Sequence, residues 1–152
     1  ENLCHFRDVL GLLGWDSKTM APKKGRKYFN KAIGTLSTES FKLSISQEMA
    51  DCLQVLKEET VYNQLDEVTK ACIRERKNNF DKSSKIPANE YQEYVILVNN
   101  ANQVWEDARE NNDFASFAPE LEKIVAFKKK FADYYGYDGH PYNALLNEYD
   151  RA

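Results

Sequence analysis

The chain is poor in the residues that punctuate turns: 152 residues contain six glycines and four prolines. An all-β protein with many tight turns uses more of both, so the scarcity points to helices. Histidine is scarcer still, with only His5 and His140, far apart in sequence. Three cysteines, Cys4, Cys52 and Cys72, stand at unrelated spacings with no CxxC pair. An odd, scattered set excludes a disulfide scaffold and predicts reduced, buried thiols in a cytoplasmic protein. No apolar run reaches the ~18 residues a membrane span needs, and no signal-peptide pattern is visible. Neither sign of charge dominates: the net charge is -3, which argues against nucleic acid as a partner. The first residue is Glu1 rather than Met, which predicts a native start that is missing or processed.

What is present is apolar residues at helical spacing. Hydrophobic residues make up 42% and charged residues 30%, a balance suited to one folded domain spanning residues 1–152. Leu3, Phe6, Val9, Leu10, Leu12 and Leu13 predict a helix over 2–13, with Gly14 as its stop. Residues 15–25 then read as a loop anchored by Trp15 and Met20. A second helix is predicted over 25–43, weakened by Gly34, Ser37 and Thr38. Ser44 and Ser46 are both candidate caps for a third helix carrying Met49, Cys52, Leu53 and Leu56. A fourth carries Leu65, Val68, Cys72, Ile73 and Phe80, and Asp81–Lys85 reads as a polar break. Pro87 opens the strongest periodic stretch, with Tyr91, Tyr94, Val95, Val98, Ala101, Trp105 and Ala108 at steps of three and four. An aromatic turn follows, with Pro119 as the first residue of the next helix. Gly136 and Gly139 end that helix, and His140-Pro141 begins a short last one through Tyr149. The sum is an all-α chain, an antiparallel helical array.

Residues able to do chemistry have plain structural readings. A zinc peptidase centre needs two His one helical turn apart with a Glu between them, and no HExxH exists here. His5 reads as a partly buried structural residue and His140 as a capping or surface residue at a helix start. Cys4 and His5 are neighbours, but neighbours on a helix point about 100° apart. Glu58-Glu59, Glu106-Asp107, Glu120 and Glu122 read as solvated carboxylates in a chain with 24 acids. Lys23–Lys27 reads as a solvated loop and helix start. Lys128-Lys129-Lys130 lies toward a helix C-terminus, where cations complement the dipole. Trp105, Phe114 and Phe117 together are too much apolar surface to leave in water.

Three segments resemble one family. Leu10 to Pro22 resembles the pattern LGLLxWDxxTxMP, with Ala21 where the family often has Met. Trp105 to Pro119 resembles WxxARxxNDFxxFxP. Tyr142 to Tyr149 resembles YDALLDEYEPG, with Asp150-Arg151 in place of the closing residues. Ile86-Pro87 matches a KIP entry to the long helix. Order and spacing also match those of the Taq-type metallocarboxypeptidases, a family of HExxH zinc peptidases.

The resemblance implies the N-terminal portion of a longer, mostly helical peptidase with a deep, neurolysin-like groove. The parent would remove C-terminal residues from peptides with a zinc-bound water deprotonated by Glu. The HExxH motif and its partners lie downstream of everything matched. The expectation for this stretch is therefore no catalytic, cofactor-binding or metal residue and no activity alone. Its helices would form a wall or lid of the groove. Asp16, Arg109 and Asp113 are expected to fix turns and helix contacts. Its partners would be the rest of the polypeptide, the parent's peptide substrate, and a second copy through an exposed apolar face. The alternative is a stand-alone helical interaction domain. The surface separates the two: a fragment exposes apolar side chains where its remainder packed, whereas an independent module is polar apart from one partner site.

Overall fold

Side-chain caps open three of the helices of this chain. Ser46 Oγ accepts from the Met49 amide at 3.2 Å, and Asp66 Oδ1 accepts from the Thr69 amide at 2.9 Å. Asp113 Oδ1 accepts from the Ser116 amide at 3.3 Å. Each satisfies a first-turn donor that has no partner inside its helix. The computed structural model describes residues 2–146 and Tyr149, with Lys23 described by its backbone alone.

The helices are α1 (Asn2–Thr19), α2 (Arg26–Ser44), α3 (Gln47–Leu56), α4 (Glu59–Tyr62), α5 (Glu67–Ser83), α6 (Ala88–Glu110), α7 (Phe114–Tyr135) and α8 (Pro141–Leu146), with a 3₁₀ turn at Lys23–Gly25. All regular structure among the described residues is helical, as the spacing predicts. Of the two candidate caps before α3, Ser46 serves; Ser44 Oγ donates back to the Phe41 carbonyl at 2.7 Å.

Some expectations are corrected. Gly14 does not stop α1, which runs on to Thr19. One internal glycine costs only about 1 kcal/mol against Ala, too little to end an established helix. Trp15 is therefore helical rather than a loop anchor, and it and Met20 are both exposed. The last turn of α1 closes on the Asp16 carbonyl, which accepts from both Met20 and Ala21 at 3.0 and 2.9 Å, just ahead of Pro22. Likewise α5 continues through the supposed break to Ser83. Helix α7 starts at Phe114, so Pro119 lies inside it. The Asp113 cap begins the helix upstream of the proline, at the cost of one missing backbone donor. The thiols are exposed, not buried. Leu53 and Ile73 set the inward phase of α3 and α5, which turns the adjacent Cys52 and Cys72 about 100° away. His5 is also exposed. The end of the expected last helix, at Asn147 and Glu148, and the Asp150-Arg151 departure lie outside the described residues.

Helices α2 and α6 run antiparallel, and the pairs along them show the register. Arg26 meets Glu106, Asn30 meets Asn100, Gly34 meets Ile96 and Phe41 meets Tyr91. A Cβ on Gly34 would sit 2.6 Å from Ile96 Cγ1, so this glycine permits the close approach of two helices. Helices α6 and α7 form a second antiparallel pair closed by three residues, 111–113. At the far end of that pair Phe41, Ile86 and Phe131 are buried together, with Tyr91, Tyr94 and Phe127 packed around them. Phe41 and Tyr91 stack with centroids 4.0 Å apart, and Tyr94 meets Phe131 edge-on at 5.1 Å.

Polar ties lock this end. The Tyr134 hydroxyl donates to the Glu90 carboxylate at 3.0 Å, and Lys130 Nζ lies 2.8 Å from Glu90 Oε1. Lys85 Nζ donates to the Tyr135 carbonyl at 2.7 Å, where a cation complements the end of α7. The Lys130 ammonium, helped by the Tyr134 hydroxyl, holds the Glu90 carboxyl below its ordinary value. Lys130 is thus tied to α6 rather than simply solvated.

Candidate functional site

The turn between α6 and α7 is built from three consecutive residues. Asn112 adopts φ 52°, a left-handed conformation that Asn tolerates better than most residues. With Asn112 so placed, the Asp113 amide donates to the Ala108 carbonyl at 2.8 Å and the Asn112 amide to the Arg109 carbonyl at 3.4 Å. This pair of bonds closes a helix C-terminus in the Schellman manner. Asp113 then caps α7 with its side chain. Arg109 lies over the Trp105 ring, its guanidinium carbon 5.4 Å from the centroid. Asp113 and Arg109 thus act in the turn and its helix contacts; the structure gives Asp16 a role through its carbonyl.

Around this turn the apolar side chains stay in water. Phe114 is 66% exposed, and Trp105 beside it is also exposed. The expectation that these rings are buried fails for Trp105 and Phe114, while Phe117 is half-buried and meets the Phe114 ring at 6.3 Å. Phe114, Leu121 and Val125 stand at helical spacing on one stripe of α7, and all three are exposed. Leu12, Trp15, Tyr142 and Tyr149 are exposed too. Bare apolar residues thus occur in all three of the segments Leu10–Pro22, Trp105–Pro119 and Tyr142–Tyr149, and also at Tyr28, Val55, Val68 and Tyr137.

The candidate chemical groups do not converge. Among the described residues no three His, Cys, Asp or Glu side chains come together to hold a metal ion, so these residues do not fit a metal centre. His140 Nδ1 accepts from the Tyr142 amide at 3.1 Å and caps α8. Glu120 pairs with Lys123 at 2.7 Å, one turn along the same helix. Among the described residues no helix is long and apolar enough to cross a membrane.

Two clefts remain. One, of about 470 Å³, opens beside the aromatic cluster and is lined by Arg7, Phe41, Arg76, Tyr91, Lys128 and Phe131 among others. Burial, with Tyr94 nearby, pushes the Tyr91 hydroxyl above its ordinary value. The other, of about 220 Å³, lies where α6 passes α1 and α2 and is lined mainly by polar side chains. Arg26 belongs to it, 18% exposed and 2.9 Å from Glu106. The basic run at Lys23–Lys27 therefore holds a tied cation at Arg26, and Glu106, its side chain still 41% exposed, is the partner. The sequence carried a signal for this cleft: Asn99, Asn102, Gln103 and Glu106 recur at i, i+3, i+4 and i+7, beside the apolar stripe of α6.

All of residues 1–152 match the family described as carboxypeptidase Taq (M32) metallopeptidase. The chain belongs to this family. It is 39% identical over 150 residues to carboxypeptidase 1 of Bacillus subtilis, covering 99% of this chain and 30% of that protein. It is 30% identical over 139 residues to thermostable carboxypeptidase 1 of Pyrococcus furiosus, covering 91% of this chain and 27% of that one. The fold agrees. The crystal structure named BsuCP superposes with a TM-score of 0.91 at 39% identity, over 97% of this chain and 29% of the other. A Pyrococcus furiosus carboxypeptidase structure superposes with a TM-score of 0.75 at 28% identity, over 98% and 29%. The chain spans about 30% of the length of the curated relatives it matches.

Proposed function

We propose that this chain is the N-terminal helical portion of a zinc metallocarboxypeptidase that removes C-terminal residues from peptides. In this reading its helices form one domain, a wall or lid of a neurolysin-like substrate groove. The metal-binding and catalytic residues come from the rest of the polypeptide, and none of residues 1–152 is catalytic or binds a cofactor or metal. The observation that carries the proposal is the position of the bare apolar residues. Each of the three segments that resemble the family leaves apolar side chains bare, among them Leu12, Trp15, Trp105, Phe114 and Tyr142, as expected where a remainder about twice this length packs. The odd, unpaired cysteines favour the cytoplasm as its compartment.

The deciding experiment reads the coding sequence beyond residue 152 and joins its product to this chain. The expected result is an HExxH motif on a helix, release of the C-terminal amino acid from an acylated dipeptide by the joined protein, loss of that activity on chelation, and its return with zinc. The 152-residue chain alone should release nothing. A stop codon directly after residue 152 would overturn the enzyme reading. The chain would then be an independent interaction domain, a reading favoured by its aromatic core with polar ties of its own. Alone, the chain should self-associate through its bare face, which sedimentation at increasing concentration would register as a rise in mass.

A further inference from the structure

The faces of helices that meet inside a protein are normally apolar. Beside α2 and the end of α1, α6 presents two turns of polar side chains to a cleft that runs from the buried Asn30 out to the exposed Lys18 and Asn102. Asn99, Asn102, Gln103 and Glu106 of α6 share the 220 Å³ cleft with Arg26 and Asn30 of α2 and with Lys18 at the end of α1. Asn30 is only 7% exposed, and its Nδ2 donates to Asn100 Oδ1 at 3.1 Å. Arg26 gives one nitrogen to Glu106, but its Nε is buried and has no hydrogen-bond partner. A buried donor left unpaired costs about 1–3 kcal/mol, and more when it is charged. Asn30 and Arg26 are thus polar groups kept at a cost beneath an open, amide-lined cleft, a cost that a ligand held in the cleft would account for.

Its chemistry narrows the ligand. A side-chain amide carries a carbonyl acceptor and an N–H donor, the same complement as a peptide bond. Four amides line this cleft beside two cations and one carboxylate. A simple anion matches only Arg26 and Lys18, and Glu106 already neutralises Arg26 from 2.9 Å. A chain of alternating carbonyls and N–H groups uses the amides of α6 and Lys18 together. The lining holds no histidine or cysteine, so the cleft is suited to holding a ligand rather than reacting with it.

We propose that the α1–α2–α6 cleft is a subsite for the backbone of a peptide substrate, remote from the bond that is cut; this rests on the carboxypeptidase reading. Because it engages backbone rather than side chains, the subsite is indifferent to peptide sequence.

The test uses the whole protein, this chain with whatever follows it, titrated into a fluorescein-labelled hexapeptide of Ala and Ser with an amidated C-terminus. Such a peptide offers no terminal carboxylate, and anisotropy reads its binding without turnover. The expected result is saturable binding, weakened at least about tenfold in Asn102→Ala/Gln103→Ala as two neutral hydrogen bonds are lost. Alanine keeps α6 helical at both positions. Lys18→Ala at the exposed end of α1 is the second variant and should weaken binding severalfold. Methylating the backbone nitrogens of the hexapeptide should weaken it as well. Unchanged affinity in both variants overturns the subsite, as does binding that inorganic phosphate displaces while N-methylation leaves it intact. The two readings fail separately. Carboxypeptidase activity with no hexapeptide binding overturns the subsite alone. Hexapeptide binding lost in the variants, in a protein with no carboxypeptidase activity, overturns the enzyme and keeps the cleft as a peptide-binding site.

Discussion

The two ends of the α6–α7 pair use the same kinds of residue to opposite effect. At one end Phe41, Tyr91, Tyr94, Phe127 and Phe131 interlock, and Glu90, Lys130 and Tyr134 tie the helices across them. At the other end Trp105, Phe114 and Phe117 surround an equally well-made turn, where Trp105 and Phe114 stay exposed and only Phe117 is half-buried. The backbone is finished at both ends: the turn has its Schellman closure and its cap, and the far end has its lysine on the last carbonyl of α7. What differs is that α2 covers the first aromatic set, while no described helix covers the second. Aromatic content alone therefore does not locate a core, since a ring is buried only where a second element arrives to bury it.

The comparison breaks hardest on single ring deletions. Phe131→Ala should destabilise the chain by about 3–5 kcal/mol in urea denaturation, since Phe131 is only 3% exposed. Phe114→Ala should change the stability of the chain alone by no more than about 0.5 kcal/mol. If the open end is where the remainder docks, the same Phe114→Ala should cost several-fold more once the remainder is joined. An equal, small effect in both settings would leave the open end as plain surface.

Glycines sharpen the point at smaller scale. Gly34→Ala drives a methyl toward Ile96 Cγ1, so α2 and α6 must part or Ile96 must turn, at about 1–3 kcal/mol. Gly14→Ala meets nothing within 4 Å and should stabilise α1 by up to about 1 kcal/mol. Opposite signs in a pair of thermal melts would separate a packing glycine from a merely tolerated one.

At the turn itself, Asp113→Ala removes the α7 cap and should cost about 1 kcal/mol. Asn should substitute for Asp there with little loss, because its side-chain carbonyl accepts the same bond. The smallest effect is at the closed end and depends on pH. Glu90 is held below its ordinary value of 4.5 by Lys130 and then Tyr134, so its contribution is complete above pH 4.5 and fades as pH falls through the lowered value. Lys130 is held above 10.5 by Glu90, so the same pair fades again as pH rises through that raised value. Melting temperature against pH should show both shoulders, and Glu90→Gln should flatten them.

Much of this was legible in the residues. The three-and-four spacing from Tyr91 to Ala108, the scarcity of glycine and proline, and the position of Gly136 are local facts, and helix formation is largely local. The family likeness was legible for the same reason: Asn112-Asp113-Phe114 is one closure and one cap written in consecutive residues. The errors came where two local signals competed. Gly14 and Pro119 are weak breakers when a longer pattern or a stronger cap overrides them, and Cys52 and Cys72 lost the inward phase to the Leu53 and Ile73 beside them.

The sequence by itself determined an all-α chain, its main helices and its kinship, because periodicity, caps and motif spacing are properties of short stretches. The tertiary structure decided which aromatic set is covered, why Gly34 must be small, and that Arg26, Asn30, Asn102 and Gln103 share one cleft. Those depend on the register between α2 and α6, which joins residues some seventy to eighty positions apart and so is written in no single stretch of the chain.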